Sequence, residues 1–278
     1  MGKFEELAES LQKVFPLTKS PLVHCITNEI TCETVANALL YVNAKPVMAD
    51  DPREFPEFFS QSDSLLLNLG HISPAREEAL VLGARLVQEH QTPMVLDLVG
   101  VAATKLRYEL AWKITGYRPQ VIKGNFSEMR SFCGLPSAGR GVDGSPVDQT
   151  PAARQELAQA MKTVAKKAQS VLLATGAVDL VTDGKAVFHL QNGVSQLDRF
   201  TGSGDLVGAL IAALLGSGLP PFVSGVAAVS YLNIAGERAK DSVGLGNFRS
   251  ETLNQLSLLM EEDWWQAIRR VADDKTTN

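Results

Sequence analysis

The sequence has little from which a disulfide framework, a metal cage or a membrane anchor could be built. Its 278 residues include three cysteines, Cys25, Cys32 and Cys133, and none forms a C-x-x-C pair. An odd, unpaired set of this kind predicts reduced, buried thiols in a cytoplasmic setting. The four histidines, at positions 24, 71, 90 and 189, share no helical spacing, which argues against a zinc motif. Gly, Ser or Pro breaks every apolar tract well short of the roughly 20 residues that cross a bilayer, so no membrane span is expected. Residues 1–17 are charged and amphipathic, unlike a secretory signal. A basic excess is also missing: the formal net charge is -5, which disfavours a nucleic-acid surface. There is no internal repeat and no low-complexity segment beyond a few polar C-terminal residues.

The common phosphate loops are missing too. No G-x-x-x-x-G-K-[ST] occurs, which excludes a P-loop enzyme. The segment Gly202-x-Gly204 fails as a dinucleotide fingerprint, because Gly208 comes one residue late and no acidic residue follows at about 20 positions.

What is present is an ordinary globular composition, 45% hydrophobic and 21% charged, enough for a sizeable core without staples. Residues 3–14 carry Phe4, Leu7, Leu11 and Val14 at helical spacing. A buried strand is predicted over 21–26, ending at Thr27-Asn28, and Thr31 is placed to cap the helix that follows. Short strands over 44–48, 64–69, 93–98 and 120–123 alternate with helices over 74–90 and 104–115 and a short helix from Phe126. Such alternation implies right-handed crossovers and a mostly parallel sheet covered by helices on both faces.

Residues 134–149, rich in Gly, Pro, Ser and Asp, read as a mobile surface loop rather than a domain linker, because a helix over 151–168 and a strand over 170–174 resume the pattern. Within it Arg140-Gly141-Val142-Asp143 reads either as a ligand lid or as an ordinary turn. The Asp183-Gly184 dipeptide between 178–182 and 186–190 predicts an antiparallel hairpin at one sheet edge. Helices over 206–215, 222–240 and 250–259 complete a single α/β domain spanning 1–278.

The stretch Thr201-Gly202-Ser203-Gly204-Asp205 runs into the apolar helix from Leu206. A helix N-terminus offers unpaired N–H groups to an anion, and Asp205 stands where a general base would serve phosphoryl transfer to a hydroxyl. Polar residues also resume at the carboxyl ends of the predicted parallel strands, at Asn28, Asn68, Asp97, Lys123 with Asn125, and Thr175, where open α/β sheets bind ligands. Asp97 and Glu128 read either as an acidic pair for a phosphate-bound Mg²⁺ or as a helix cap and a solvated carboxylate. His24 and Cys25 are strand neighbours facing opposite ways, so a buried structural thiol is expected rather than a nucleophile and base.

With these residues in view the chain resembles the hydroxyethylthiazole kinase family of the ribokinase-like superfamily over about 20–270. The resemblance rests on Ile26-Thr27-Asn28, Ala44-Lys45-Pro46-Val47-Met48-Ala49, Leu67-Asn68-Leu69-Gly70, Val95-Leu96-Asp97-Leu98-Val99-Gly100, Ile122-Lys123-Gly124-Asn125 with Glu128, Arg140-Gly141-Val142-Asp143, Thr175-Gly176 and residues 201–205, in that order. It implies a ribokinase-like fold, ATP as donor, Mg²⁺, and 4-methyl-5-(2-hydroxyethyl)thiazole as acceptor, serving thiamine biosynthesis and salvage. Asn28, Met48 and Gly202 then correspond to thiazole-contacting positions, and Lys123, Asn125 and Thr175 to ATP-contacting ones. Asp97 and Glu128 correspond to the acids near metal and phosphates. Backbone N–H groups of Gly202, Ser203, Gly204 and Asp205 would stabilise the transferring phosphoryl group. A homotrimer with sites between subunits is implied as well.

Three positions depart from the family's usual pattern. Leu98 stands where many relatives have Pro. Lys123 replaces a common Arg, losing the bidentate phosphate fork. Asp205 stands where many thiazole kinases carry Cys, as in the wider sugar- and vitamin-kinase superfamily. A related kinase for a pyrimidine or pyridoxal-type alcohol, a non-catalytic thiazole- or nucleotide-binding protein, and an ATP-dependent dehydrating lyase on the same fold remain as other readings.

Overall fold

Apolar runs of three to five residues, separated by helices with defined caps, produce a regular alternation of strand and helix. The computed structural model describes residues 3–139, 141 and 144–271. In chain order the elements are α1 (Lys3–Leu11), β1 (Leu22–Ile26), α2 (Cys32–Tyr41), β2 (Lys45–Val47), α3 (Phe55–Phe59), β3 (Ser64–Asn68), α4 (Pro74–His90), β4 (Met94–Asp97), α5 (Lys105–Thr115), β5 (Val121–Asn125) and α6 (Phe126–Phe132). There follow α7 (Pro151–Ala168), β6 (Val171–Thr175), β7 (Asp179–Thr182), β8 (Val187–Leu190), α8 (Ser203–Gly216), α9 (Pro221–Ala239) and α10 (Leu245–Leu258). No helix among the described residues is long and apolar enough to cross a membrane.

The caps explain several boundaries. Ser73, Thr104 and Thr150 each accept a hydrogen bond from a first-turn N–H of the helix that follows, and Gln91 and Gln169 end α4 and α7 in the left-handed conformation. Asn125 and Glu128 form a reciprocal capping box at the start of α6. Thr31 departs from the expectation. It occupies the N-cap of α2, but its side chain makes no capping bond, because the hydroxyl is drawn to a carboxylate far away in sequence.

The strands form one eight-stranded sheet in the order β2-β1-β3-β4-β5-β6-β7-β8. Pairing is parallel from β2 through β6, and the hairpin β7–β8 adds two antiparallel strands at one edge. Alternate residues feed opposite layers, as the period of two requires. Leu66, Val95, Val121 and Leu173 pack with α2, α8, α9 and α10, whereas Leu65, Leu67, Leu96, Ile122 and Leu172 pack with α3 to α7. Cys25 joins the first layer, and His24 packs among Phe55, Phe58 and Phe59 on the other.

Helix α8 is apolar all round and fully buried from Asp205 to Leu215, as a central helix must be. It packs on β1, β3, β4 and β5 and between α2 and α9, which brings its N-terminus over the carboxyl ends of the middle strands. The described residues of the loop over 134–149 include a one-turn helix at Pro146–Gln149 and are tethered: buried Asp148 accepts from Ser127 Oγ at 2.6 Å and Ser137 Oγ at 3.1 Å. Arg140, Val142 and Asp143 of the lid-or-turn motif lie outside the described residues.

Candidate active site

The glycine segment turns into α8 through Gly202, whose φ of +96° suits glycine and disfavours other residues. A Cβ there would also stand 2.5 Å from Thr31 Cγ2. Among the described residues no side chain caps this N-terminus, which stands over the strand ends.

Asp205, in that first turn, is buried and held by three side chains from the first third of the chain. Its Oδ2 accepts from Asn28 Nδ2 at 2.7 Å and Thr31 Oγ1 at 2.5 Å, and its Oδ1 accepts from Asn68 Nδ2 at 2.9 Å. Asn28 is engaged at both ends, since its Oδ1 takes the backbone N–H of Thr31 at 3.1 Å. The residue expected to touch the acceptor thus also holds the carboxylate.

Beneath α8 lies a buried ion pair, Lys123 Nζ to Asp97 Oδ1 at 2.7 Å. The ammonium sits close under the helix mouth, 3.7 Å from where a Cβ on Gly204 would lie. Burial pushes the Asp97 carboxyl up to about 7 even though Lys123 opposes the shift, and the charge of Asp205 adds to it. Asp97 Oδ2 lies 3.4 Å from Asn68 Nδ2, so one amide reaches both aspartates.

Glu128 is buried too, and burial raises its carboxyl against the pull of the backbone N–H groups of Gly100 and Asn125. It accepts from those N–H groups at 2.8 and 2.7 Å, one on each oxygen. The carboxylate thus ties the loop after β4 to the end of β5. Both acids expected near metal already hold partners on every oxygen, and among the described residues no three His, Cys, Asp or Glu side chains gather as a metal-binding group. A dedicated protein cage is thus missing among the described residues, while two carboxylates with one partner per oxygen fit an Mg²⁺ that takes its other ligands from water and nucleotide phosphates.

Asn125 and Thr175 pair in register at the ends of β5 and β6. Asn125 Oδ1 caps α6 through Glu128 N at 2.9 Å, and Thr175 Oγ1 is 3.4 Å from Gly124 O. The Gly176 N–H that follows is held by Asp179 Oδ1 at 2.9 Å. Two of the three expected nucleotide-side residues thus border one stretch of strand ends beside α6, while the third, Lys123, lies with Asp97 on the same sheet edge.

Met48 lies on the other side, half-buried after β2, in the wall of a cavity of about 280 Å³ lined also by Cys25, Thr27, Cys32, Asp50 and Arg76. Arg76 organises that wall: one guanidinium nitrogen pairs with Asp50 at 2.8 Å and another donates to Thr27 O. His24 donates from Nε2 to Ala49 O at 2.7 Å, and burial lowers its pKa, keeping it neutral.

Three contributors escaped the sequence reading: Thr31, Arg76 and Arg107, whose Nη1 donates to both Leu69 O and Val99 O at 2.8 and 2.9 Å. A sign of Arg76 was available, because it shares the buried stripe of α4 with Ala79, Leu80 and Gly83. A lone charge in an apolar stripe marks a buried pair. For Thr31 the local signal pointed elsewhere, to a helix cap.

This arrangement has counterparts of known kind. A family model, the hydroxyethylthiazole kinase family, matches residues 13–262. The hydroxyethylthiazole kinase of Enterococcus faecalis is 55% identical over 261 residues, covering 93% of this chain and 96% of that protein. A solved hydroxyethylthiazole kinase from Pyrococcus horikoshii superposes with a TM-score of 0.83 at 29% identity, covering 96% of this chain and all of that one (100%). A ribokinase-like superfamily protein from Enterococcus faecalis, 16% identical with a TM-score of 0.64 over 92% of this chain and 94% of that one, shares the fold. With the sheet order, the helix mouth and a family match across most of its length, the chain belongs to the hydroxyethylthiazole kinase family.

Proposed function

We propose that the chain transfers the γ-phosphoryl group of ATP to the primary hydroxyl of 4-methyl-5-(2-hydroxyethyl)thiazole, a step of thiamine biosynthesis and salvage. The observation that carries this reading is a buried carboxylate, Asp205, in the first turn of a helix whose N-terminal N–H groups have no side-chain cap. Mere binding of thiazole or nucleotide needs no such base. As the acceptor oxygen bonds to phosphorus, Asp205 takes its proton, and the bond from phosphorus to the leaving oxygen breaks with its electron pair remaining on ADP. N–H groups of residues 202–205 and the buried Lys123 ammonium stabilise charge on the transferring group. Asn125 and Thr175 border the nucleotide, and Met48 lies against the thiazole, a soft thioether on an aromatic ring.

Mg²⁺ is assigned to the ATP phosphates, and Asp97 and Glu128, with one partner on each oxygen, are the carboxylates that would reach it directly or through water. A homotrimer with sites between subunits fits the exposed apolar side chains Ile30, next to the acceptor side, and Leu40 and Tyr41 at the far end of α2. Three free cysteines fit a cytoplasmic setting.

The test is an ATP-consumption assay with the thiazole alcohol, following ADP and the phosphorylated product, with a hydroxymethylpyrimidine and pyridoxal as competing alcohols. The thiazole should give the highest kcat/KM. Absence of thiazole phosphate under Mg²⁺-ATP would overturn the reading.

A further inference from the structure

We infer that Oδ1 of Asp205 is the atom that receives the acceptor proton, and that Asn68 is the positioning residue that aims it. The inference rests on the phosphotransfer reading above and adds to it an atom and a residue.

An ionised carboxylate has about four lone-pair sites, two on each oxygen. Oδ2 of Asp205 already accepts two hydrogen bonds, from Asn28 and Thr31. Oδ1 accepts one, from Asn68. The remaining lone pair of the set belongs to Oδ1, so a hydroxyl approaching the helix mouth meets its acceptor there.

Asn68 holds that oxygen in a way that fixes its own orientation. Its carbonyl oxygen accepts from Gly70 N at 2.7 Å, a local turn at the end of β3. A flipped amide would put NH₂ against that N–H and its oxygen against two carboxylates. The NH₂ group therefore faces the aspartates, with Asp205 Oδ1 at 2.9 Å and Asp97 Oδ2 at 3.4 Å. Space is restricted as well. A Cβ on Gly70 would lie 2.8 Å from Asn68 Oδ1 and 3.2 Å from Asn28 Cβ, so glycine at 70 leaves room for the turn that sets the amide.

The proton balance is simple. The acceptor O–H bond breaks, a bond from Asp205 Oδ1 to that hydrogen forms, and the freed electron pair makes the new O–P bond. Asn68 continues to donate to the same Oδ1 once it carries the proton, so the carboxyl group need not rotate during transfer.

Two variants act on Asn68 by different routes. In Asn68→Ser the hydroxyl can still take the Gly70 N–H, as serine does in such turns, but no donor reaches Asp205. In Gly70→Ala the amide keeps its chemistry and is displaced. Each should lower kcat about 10- to 100-fold, the range for a misaligned reacting group, with both KM values within about threefold. ADP binding, measured by calorimetry, should match the parent and serves as the check on folding. Introduced into Asp205→Asn, each substitution should cost less than about twofold further, because the oxygen being aimed is no longer a base. Parental kcat in both variants, with Asp205→Asn strongly impaired, would overturn the inference and leave the phosphotransfer reading standing. Additive losses in the double variants would overturn it as well, since Asn68 would then act elsewhere. Full activity in Asp205→Asn would remove the base and the inference together.

Discussion

Lys123 Nζ stands 2.7 Å from Asp97 Oδ1 where the two side chains are 3% and 0% exposed, a charge pair sealed beneath the N-terminus of α8. Removing one partner of such a pair leaves the other charge buried without compensation. Lys123→Met should lower unfolding stability by about 3–5 kcal/mol, read by urea denaturation at pH 8. Adding Asp97→Asn to that variant should restore most of the loss. A single variant as stable as the parent would show that the pair contributes nothing to the fold.

Asp205→Asn keeps the size of the side chain and removes its basicity. The expected outcome is a fall in kcat of roughly 10²–10⁴-fold, the range for a general base, with the KM for ATP within about threefold. Steady-state assays varying each substrate check it.

Arg76 touches the acceptor side only, through Asp50 and Thr27. Arg76→Leu should loosen the wall that carries Met48 and raise the acceptor KM by about tenfold, equivalent to roughly 1.4 kcal/mol, while the ATP KM stays constant. Equal changes in both KM values would mean that Arg76 supports the whole sheet edge instead.

Asp179 supplies a pH dependence. Burial pushes its carboxyl up from 3.8 to about 7, against the opposing hydrogen bonds from Gly176 and Asn233. Because the folded-state value is raised, the stability this group contributes is present in full below the ordinary value of about 4 and is lost as pH rises through about 7. The melting temperature of the parent relative to Asp179→Asn should therefore fall steadily between pH 4.5 and 8. A difference that does not vary with pH would show that the carboxyl titrates at its ordinary value.

Much of the layout was legible in local pattern. Helix α4 and helix α7 fall on their expected bounds, because Ser73-Pro74 and Thr150-Pro151 announce their starts. The Asp183-Gly184 turn likewise announced the hairpin of β7 and β8. The polar residues at strand ends were visible as a group, and residues 28, 68, 97, 123 and 205 do converge. The reaction itself came from resemblance to a family, not from spacing.

Who bonds to whom was not legible. Asn28 reads locally as a ligand contact, Thr31 as a helix cap, and Glu128 as a metal ligand or a solvated acid. The bonds of Asn28 and Thr31 to Asp205 are set by the lie of α8 across β1, and Glu128 combines a local capping box at Asn125 with a bond to the Gly100 N–H after β4. A local window cannot distinguish a threonine whose hydroxyl caps its own helix from one whose hydroxyl is claimed by an aspartate 174 residues later. Arg76 was missed for the same reason, since its value lies in Asp50, 26 residues earlier, and in a carbonyl at Thr27.

The donors to Asp205 lie 137, 174 and 177 residues before it in the chain. Asn28 and Thr31 share the loop after β1, yet no donor lies nearer than 137 residues to Asp205, and contacts of such span form only after long loops have closed. Activity is thus a property of the finished sheet: a nascent or partly unfolded chain, however much helix it holds, has a carboxylate at position 205 but nothing to aim it.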